Sequence, residues 1–70
     1  MKHYRLLADI VLSFIVGNEQ RDAIIGPSDG TIECDGATIW LVNKTERHAS
    51  TTTANIVSVM LDRGTLEEIT

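Results

Sequence analysis

The sequence predicts an α+β fold, and three observations carry that prediction. A nearly unbroken apolar run from Leu6 to Val16 predicts a long N-terminal helix. Asp35-Gly36, flanked by β-forming residues, predicts a β-hairpin, and an amphipathic pattern that starts at Ser50 predicts a C-terminal helix. The chain has 70 residues, which is room for a single small domain.

The predicted N-terminal helix has more apolar surface than one core can cover. Asp9 and Ser13 are the polar residues in the run, and their spacing of four places them on one narrow stripe. One remaining face can pack on the domain's own core. The other includes Tyr4, Leu12 and Ile15, which we expect to contact a second copy of the chain. The alternative is that the rest of the chain wraps this helix completely.

Two segments have a less definite pattern. Residues 18–25 form either a short second helix, stopped by Gly26-Pro27, or a short strand, and we favour the helix. Gly17 suits the position after the end of the first helix, where a positive φ is needed. Residues 65–70 begin like a helix with a capping box, but they could equally form a short edge strand.

The predicted hairpin determines which side chains share a face. With Asp35-Gly36 as a two-residue loop, Ile32 lies opposite Ile39 on an apolar face. Trp40 and Val42 then fall on the polar face. A tryptophan in that position either packs under a neighbouring element or anchors an interface, because tryptophan is enriched among binding hot spots. We therefore count Trp40 and Val42 among the candidate partner-binding residues.

The C-terminal helix is predicted to run from Ser50 to about Arg63, with Gly64 as its stop. Residues 53–66 resemble the recognition helix of winged helix-turn-helix proteins, which often ends in an apolar pair, a basic residue, glycine and a final apolar residue. The chain departs from that family before this segment, where a strand and a loop are expected in place of a helix. No family assignment follows from so short a match.

That resemblance implies a second function, a small DNA-binding regulator. The residues that would contact phosphate are the basic and hydroxyl side chains around the predicted helix start, namely Lys44, Arg47, His48, Ser50 and Thr51. The net charge of −4 and a pI near 4.9 oppose this function, since neutralising phosphates needs an excess of Lys and Arg. We therefore expect no nucleic-acid partner.

Composition also bears on the compartment. Cys34 is the chain's one cysteine, so an internal disulfide is impossible. The first residues have the outline of a secretory signal, but Asp9 interrupts its apolar part and Val16-Gly17-Asn18 is a poor cleavage site. The apolar run is also too short to cross a bilayer, which needs about 20 residues. We expect a cytoplasmic protein with no membrane partner.

No pattern in the sequence points to catalysis, a cofactor or a metal. The segment from Asp29 to Ile32 is similar to part of a calcium-binding loop but lacks the ligands on either side, and Cys34 has no ligand-pair spacing with His3 or His48. The sequence therefore predicts a non-enzymatic protein-interaction module. We expect a small homodimeric accessory or inhibitor protein that binds a larger protein, by analogy with the compact accessory proteins of phages.

Overall fold

A computed structural model describes residues 1–69 and shows a mostly β protein, so the predicted α+β fold with a long N-terminal helix is wrong. The elements follow one another as β1 (Lys2–Leu6), β2 (Ile10–Val16), β3 (Glu19–Ile25), β4 (Thr31–Asp35), β5 (Thr38–Val42), β6 (Arg47–Thr53), α1 (Ile56–Asp62) and β7 (Leu66–Glu68).

Within these residues the strands form two antiparallel sheets. One has five strands in the order β6-β5-β4-β1-β7, and the other is the hairpin β2-β3. The inner faces of both sheets meet in one apolar core, which Val57 and Met60 of α1 also enter. The remaining core residues are Tyr4, Leu6, Ile10, Leu12, Ile25, Ile32, Ile39, Leu41 and Leu66.

The apolar run predicted to be a helix forms the end of β1, a turn and β2. Gly17 and Asn18 make the two-residue turn between β2 and β3, and Gly17 has a φ of +64°. A glycine with positive φ at the first turn position is typical of a type II′ hairpin turn, so Gly17 reverses the chain instead of ending a helix. Leu12 then points into the core while its neighbour Val11 points outward.

The other uncertain segments are also strands. Residues 19–25 pair with β2 along their whole length, so the favoured second helix is wrong. Leu66–Glu68 is an edge strand that pairs with β1, while Thr70 lies outside the described residues. A C-terminal helix exists but begins at Ile56, because the segment from Ser50 that was expected to start it belongs to β6.

The helix ends where the sequence predicts. Gly64 has a φ of +74°, and its N–H donates to the carbonyl of Leu61. The Thr65 N–H donates to the carbonyl of Met60. This pair of hydrogen bonds is the Schellman motif, in which a glycine allows the left-handed residue that closes a helix.

A hairpin links β4 to β5, with Gly36 and Ala37 as its turn residues in place of Asp35-Gly36. Ile32 therefore lies opposite Leu41, two positions from the expected partner Ile39. A shift of two keeps every side chain on its face, since the side-chain period of a strand is two. Trp40 accordingly lies on the outer face of the five-stranded sheet, opposite Glu33.

Candidate protein-interaction site

The outer face of the β2-β3 hairpin carries large apolar side chains that the rest of the chain leaves uncovered. Val11 and Ile24 lie directly opposite each other and are 60% and 72% exposed. Ile15, on the same face, is 56% exposed. We call these three residues the hairpin face. Cross-strand neighbours have Cβ atoms about 5 Å apart, so Val11 and Ile24 form a continuous apolar surface.

A polar pair lies between the two ends of the hairpin face. Ser13 Oγ donates a hydrogen bond of 2.6 Å to Asp22 Oδ1, and these residues are also partners in the β2-β3 register. The register places this pair between the Val11–Ile24 pair and Ile15, whose own partner is Gln20, so the Asp22 carboxylate lies near the middle of the face. The hairpin face therefore has a hydrogen-bonded polar pair between its apolar ends.

A cleft opens beside the hairpin face, between β2 and β6. The two strands are joined by side chains: Ser50 Oγ donates to the carbonyl of Ser13 at 2.7 Å, and the Ser13 N–H donates to Thr52 Oγ1 at 3.0 Å. Beyond these links lies a cleft of about 450 Å³ between residues 14–16 and 47–49. Its lining comprises Phe14, Ile15, Val16, Arg21, Ala23, Leu41, Arg47, His48 and Ala49.

The cleft shares Arg47 with a charged cluster on the outer face of the five-stranded sheet. The Arg47 guanidinium lies 3.9 Å from the centre of the Trp40 ring and donates a hydrogen bond to Glu33. His3 Nε2 lies 3.1 Å from the other carboxylate oxygen of Glu33. Stacking on an indole and pairing with a carboxylate both restrict a guanidinium, so Arg47 is held in one place.

Glu33 is buried although it lies on an outer face. The Arg47 hydrogen bond lowers the pKa of this carboxyl group below its ordinary value of 4.5, against the opposing effect of burial. His3 adds a weaker effect in the same direction. Glu33 is therefore ionised at neutral pH and anchors Arg47 electrostatically.

The structure separates the five residues predicted to bind a partner. Tyr4 and Leu12 are 4% and 1% exposed core residues, so they have no surface to offer. They were expected outside because a helix would have turned them away from the core. Ile15 is exposed on the hairpin face, whereas Trp40 and Val42 are half-buried on the other sheet's outer face. The expected residues thus form no single surface.

The structure also disperses the residues of the DNA-binding alternative. Arg47 and His48 are consecutive residues of β6, so their side chains point to opposite faces of the sheet. Arg47 pairs with Glu33, and His48 pairs with Glu46. Ser50 is buried by its bond to β2, while Thr51 is exposed. Lys44 lies in the loop before β6. No helix start gathers these side chains, because α1 begins only at Ile56.

Sequence reasoning missed Val11 and Ile24, the most exposed residues of the hairpin face, and it missed Arg21 in the cleft. The signal that could have found them is Gly17-Asn18, a two-residue pair that favours a hairpin when β-forming residues flank it. Placing that turn pairs Val11 with Ile24 at once.

Two further findings concern the part of the chain that the structure describes. No group of three or more His, Cys, Asp or Glu side chains there comes together in a way that could hold a metal ion. No helix in residues 1–69 combines the length and the apolar character that crossing a membrane requires. No family model, curated protein or solved structure matches the chain.

Proposed function

We propose that this protein is a non-enzymatic protein-interaction module that forms a homodimer through the hairpin face. The observation that carries the proposal is the exposure of Val11 and Ile24 as a cross-strand pair, with Ile15 further along the same face. Scattered single apolar residues are ordinary on protein surfaces, but adjacent ones on one sheet face are typical of interaction sites.

Two copies of the hairpin face are complementary to each other. Two sheets pack face to face about 10 Å apart through apolar side chains, and a two-fold axis brings the same patch of both subunits together. Valine and isoleucine have restricted χ1 angles, so their side chains lose little freedom on association. The Ser13 hydroxyl already donates to Asp22 Oδ1, so this carboxylate would enter such an interface with one hydrogen bond in place.

The small size of the chain favours association. A domain of this length buries only about 60% of the surface that its unfolded chain exposes. Covering the hairpin face would add apolar burial that one protomer lacks. We also propose that the homodimer acts in the cytoplasm as an accessory or inhibitor of a larger protein; the single cysteine Cys34 and the acidic net charge are compatible with that role.

Sedimentation velocity at micromolar concentration tests the homodimer. We expect the wild-type protein to sediment as a dimer and Ile24→Glu to sediment as a monomer, because a buried unpaired carboxylate opposes association. Ile24 is exposed, so the substitution should leave the folded protomer intact.

Val59→Glu is the matched control, since Val59 is an exposed apolar residue of α1, outside the hairpin face. It should sediment as the wild type does. A wild-type protein that remains monomeric, or a dimer that Ile24→Glu leaves unchanged, contradicts the proposed homodimer.

A further inference from the structure

We propose that Asp22 makes the homodimer sensitive to pH, so that two copies of the chain associate more tightly as the pH falls. This inference rests on the proposed homodimer and adds a means of regulation to the hairpin face. The observation behind it is the position of Asp22 near the middle of that face, with Val11 and Ile24 on one side and Ile15 on the other.

The register of the β2-β3 hairpin directs the Asp22 side chain outward. Side chains alternate between the two faces along each strand, so every second residue shares the face of Val11 and Ile24. The residues on this outer face are Val11, Ser13, Ile15, Gln20, Asp22 and Ile24. A second copy that covers the exposed apolar members of this set therefore also covers the Asp22 carboxylate.

The Asp22 carboxylate has one hydrogen bond within the described chain. Ser13 Oγ donates to Asp22 Oδ1 at 2.6 Å, and Oδ2 has no donor among residues 1–69. Solvent satisfies the second oxygen in the exposed monomer. Burial in an interface would remove that solvent and leave the carboxylate with half of its hydrogen bonding.

The basic groups nearest to Asp22 are engaged elsewhere. On β3 itself, Arg21 pairs with Glu19, and the alternation of side chains directs both to the opposite face of the hairpin. β2 has no titratable side chain. β6, which packs beside β2, carries Arg47 and His48, and each of them pairs with another carboxylate. No cation in the described chain therefore compensates the charge of Asp22.

Two-fold symmetry would bring the two Asp22 carboxylates towards each other. The same patch of both subunits meets in a two-fold interface, and the middle of the patch lies beside the axis. Loss of solvent and the approach of a like charge both disfavour the ionised form of a carboxyl group. Formation of the dimer therefore favours the uptake of a proton by Asp22.

The direction of the pH dependence follows from this uptake. An aspartate in water titrates at about pH 4. Because the dimer binds protons at a higher pH than the monomer does, a fall in pH towards 4 shifts the equilibrium towards the dimer. A protonated carboxyl group can also donate a hydrogen bond to the other carboxylate across the axis.

Sedimentation equilibrium at pH 7.5 and pH 5.5, at constant ionic strength, tests the inference. Both values lie above 4.5, so Glu33 stays ionised and its contribution to the fold does not change. We expect the dissociation constant of the wild-type dimer to be roughly tenfold lower at pH 5.5, or lower still.

Asp22→Asn is the test variant, because its amide oxygen still accepts the Ser13 hydrogen bond but carries no charge. We expect its dimer to be roughly tenfold tighter than the wild-type dimer at pH 7.5, and its dissociation constant to differ by less than about twofold between the two pH values. Asp62→Asn is the matched control, since it makes the same change in net charge at an exposed residue of α1. It should keep the pH dependence of the wild type.

A wild-type dimer with one dissociation constant at both pH values, or equal effects of Asp22→Asn and Asp62→Asn, overturns this inference and leaves the homodimer standing. A pH dependence that persists in Asp22→Asn also overturns it, because other groups such as His3 and His48 would then be responsible. If the wild type and Asp22→Asn are both monomeric at both pH values, the homodimer itself is contradicted, and this inference with it.

Discussion

The charged cluster on the five-stranded sheet shows how one buried residue depends on its neighbours. Glu33 is nearly covered, and its carboxylate is tolerated because Arg47 and His3 both approach it. A buried charge without partners would be strongly unfavourable. Neutralising Glu33, either by substitution or by protonation, should therefore change the free energy of unfolding.

We predict that Glu33 makes the protein sensitive to acid. Its pKa is lower in the folded protein than in the unfolded chain, so its ionised form adds stability above the ordinary value of 4.5. That contribution is lost as the pH falls through the lower, folded pKa. In urea denaturation between pH 7 and pH 3, the stability difference between wild type and Glu33→Gln should shrink below pH 4.5.

Glu19→Gln provides the control, because Glu19 forms an exposed ion pair with Arg21. Its stability should follow that of the wild type across the same range of pH. If Glu33→Gln and Glu19→Gln depend on pH in the same way, the assigned role of the Glu33 cluster is wrong.

Gly30 is a second residue whose identity the fold determines. Its φ is +142°, and a Cβ atom built on it would lie 2.3 Å from the carbonyl oxygen of Val42. We predict that Gly30→Ala destabilises the protein more than Gly17→Ala, whose Cβ would meet nothing within 4 Å. Gly17→Ala should cost about 1 kcal/mol, since only the left-handed conformation opposes it. Equal losses in urea denaturation would contradict the close backbone approach at Gly30.

At the scale of elements, the apolar run in the first quarter of the chain misled the prediction. A helix covered on all sides and a strand with apolar residues on both faces give similar continuous patterns. Here Leu12 is buried and Val11 exposed, yet both are apolar, so the alternation that marks a strand is hidden. The β-branched residues and Gly17-Asn18 were the remaining signals for a strand.

The sequence predicted the end of α1 more accurately than its start. Gly64 stops the helix through its positive φ, a requirement that is visible in the sequence itself. Ser50 was the expected start of the helix, but its hydroxyl donates to the Ser13 carbonyl of β2 and accepts the Thr52 N–H within β6. These hydrogen-bond partners depend on the tertiary structure. A single sequence therefore could not show whether such a hydroxyl caps a helix or joins two strands.

We predict that the Ser50 hydroxyl, which joins β6 to β2, stabilises the folded protein. Ser50→Ala removes the donor to the Ser13 carbonyl and the acceptor of the Thr52 N–H. Leaving buried polar groups without partners should cost about 1–3 kcal/mol in urea denaturation.

Ser58→Ala is the matched control, since the Ser58 hydroxyl donates to Asn55 on the exposed side of α1. It should change the stability by less than about 0.5 kcal/mol. Equal losses of stability in Ser50→Ala and Ser58→Ala would show that the hydrogen bonds of Ser50 do not stabilise the protein specifically.

At the scale of the whole molecule, the sequence did not reveal which side chains form one surface. Ile15 and Trp40 were grouped as partner-binding residues, but they belong to different sheets. The face on which Trp40 lies could be predicted, because side chains alternate between the two faces of a hairpin and this alternation is a local property of the sequence. The hairpin face and the cleft depend on how β2 packs beside β3 and β6, which involves residues distant in the sequence.

The molecule as a whole carries the hairpin face and the cleft side by side. The hairpin face carries exposed apolar residues, while the cleft is lined by apolar residues and by basic residues that pair with carboxylates of the chain. Ile15 borders both the hairpin face and the cleft. The proposed homodimer explains the exposure of Val11, Ile15 and Ile24.

Intermolecular NOEs test whether the hairpin face forms the homodimer interface. In an equimolar mixture of 13C-labelled and unlabelled protein, isotope-filtered spectra report only contacts between different protomers. If the hairpin face is the dimer interface, NOEs will join the methyl groups of Val11, Ile15 and Ile24 to the same residues of the second copy. A dimer whose NOEs arise instead from Ile56 and Val59 of α1, or a sample at millimolar concentration with no intermolecular NOEs, would contradict it.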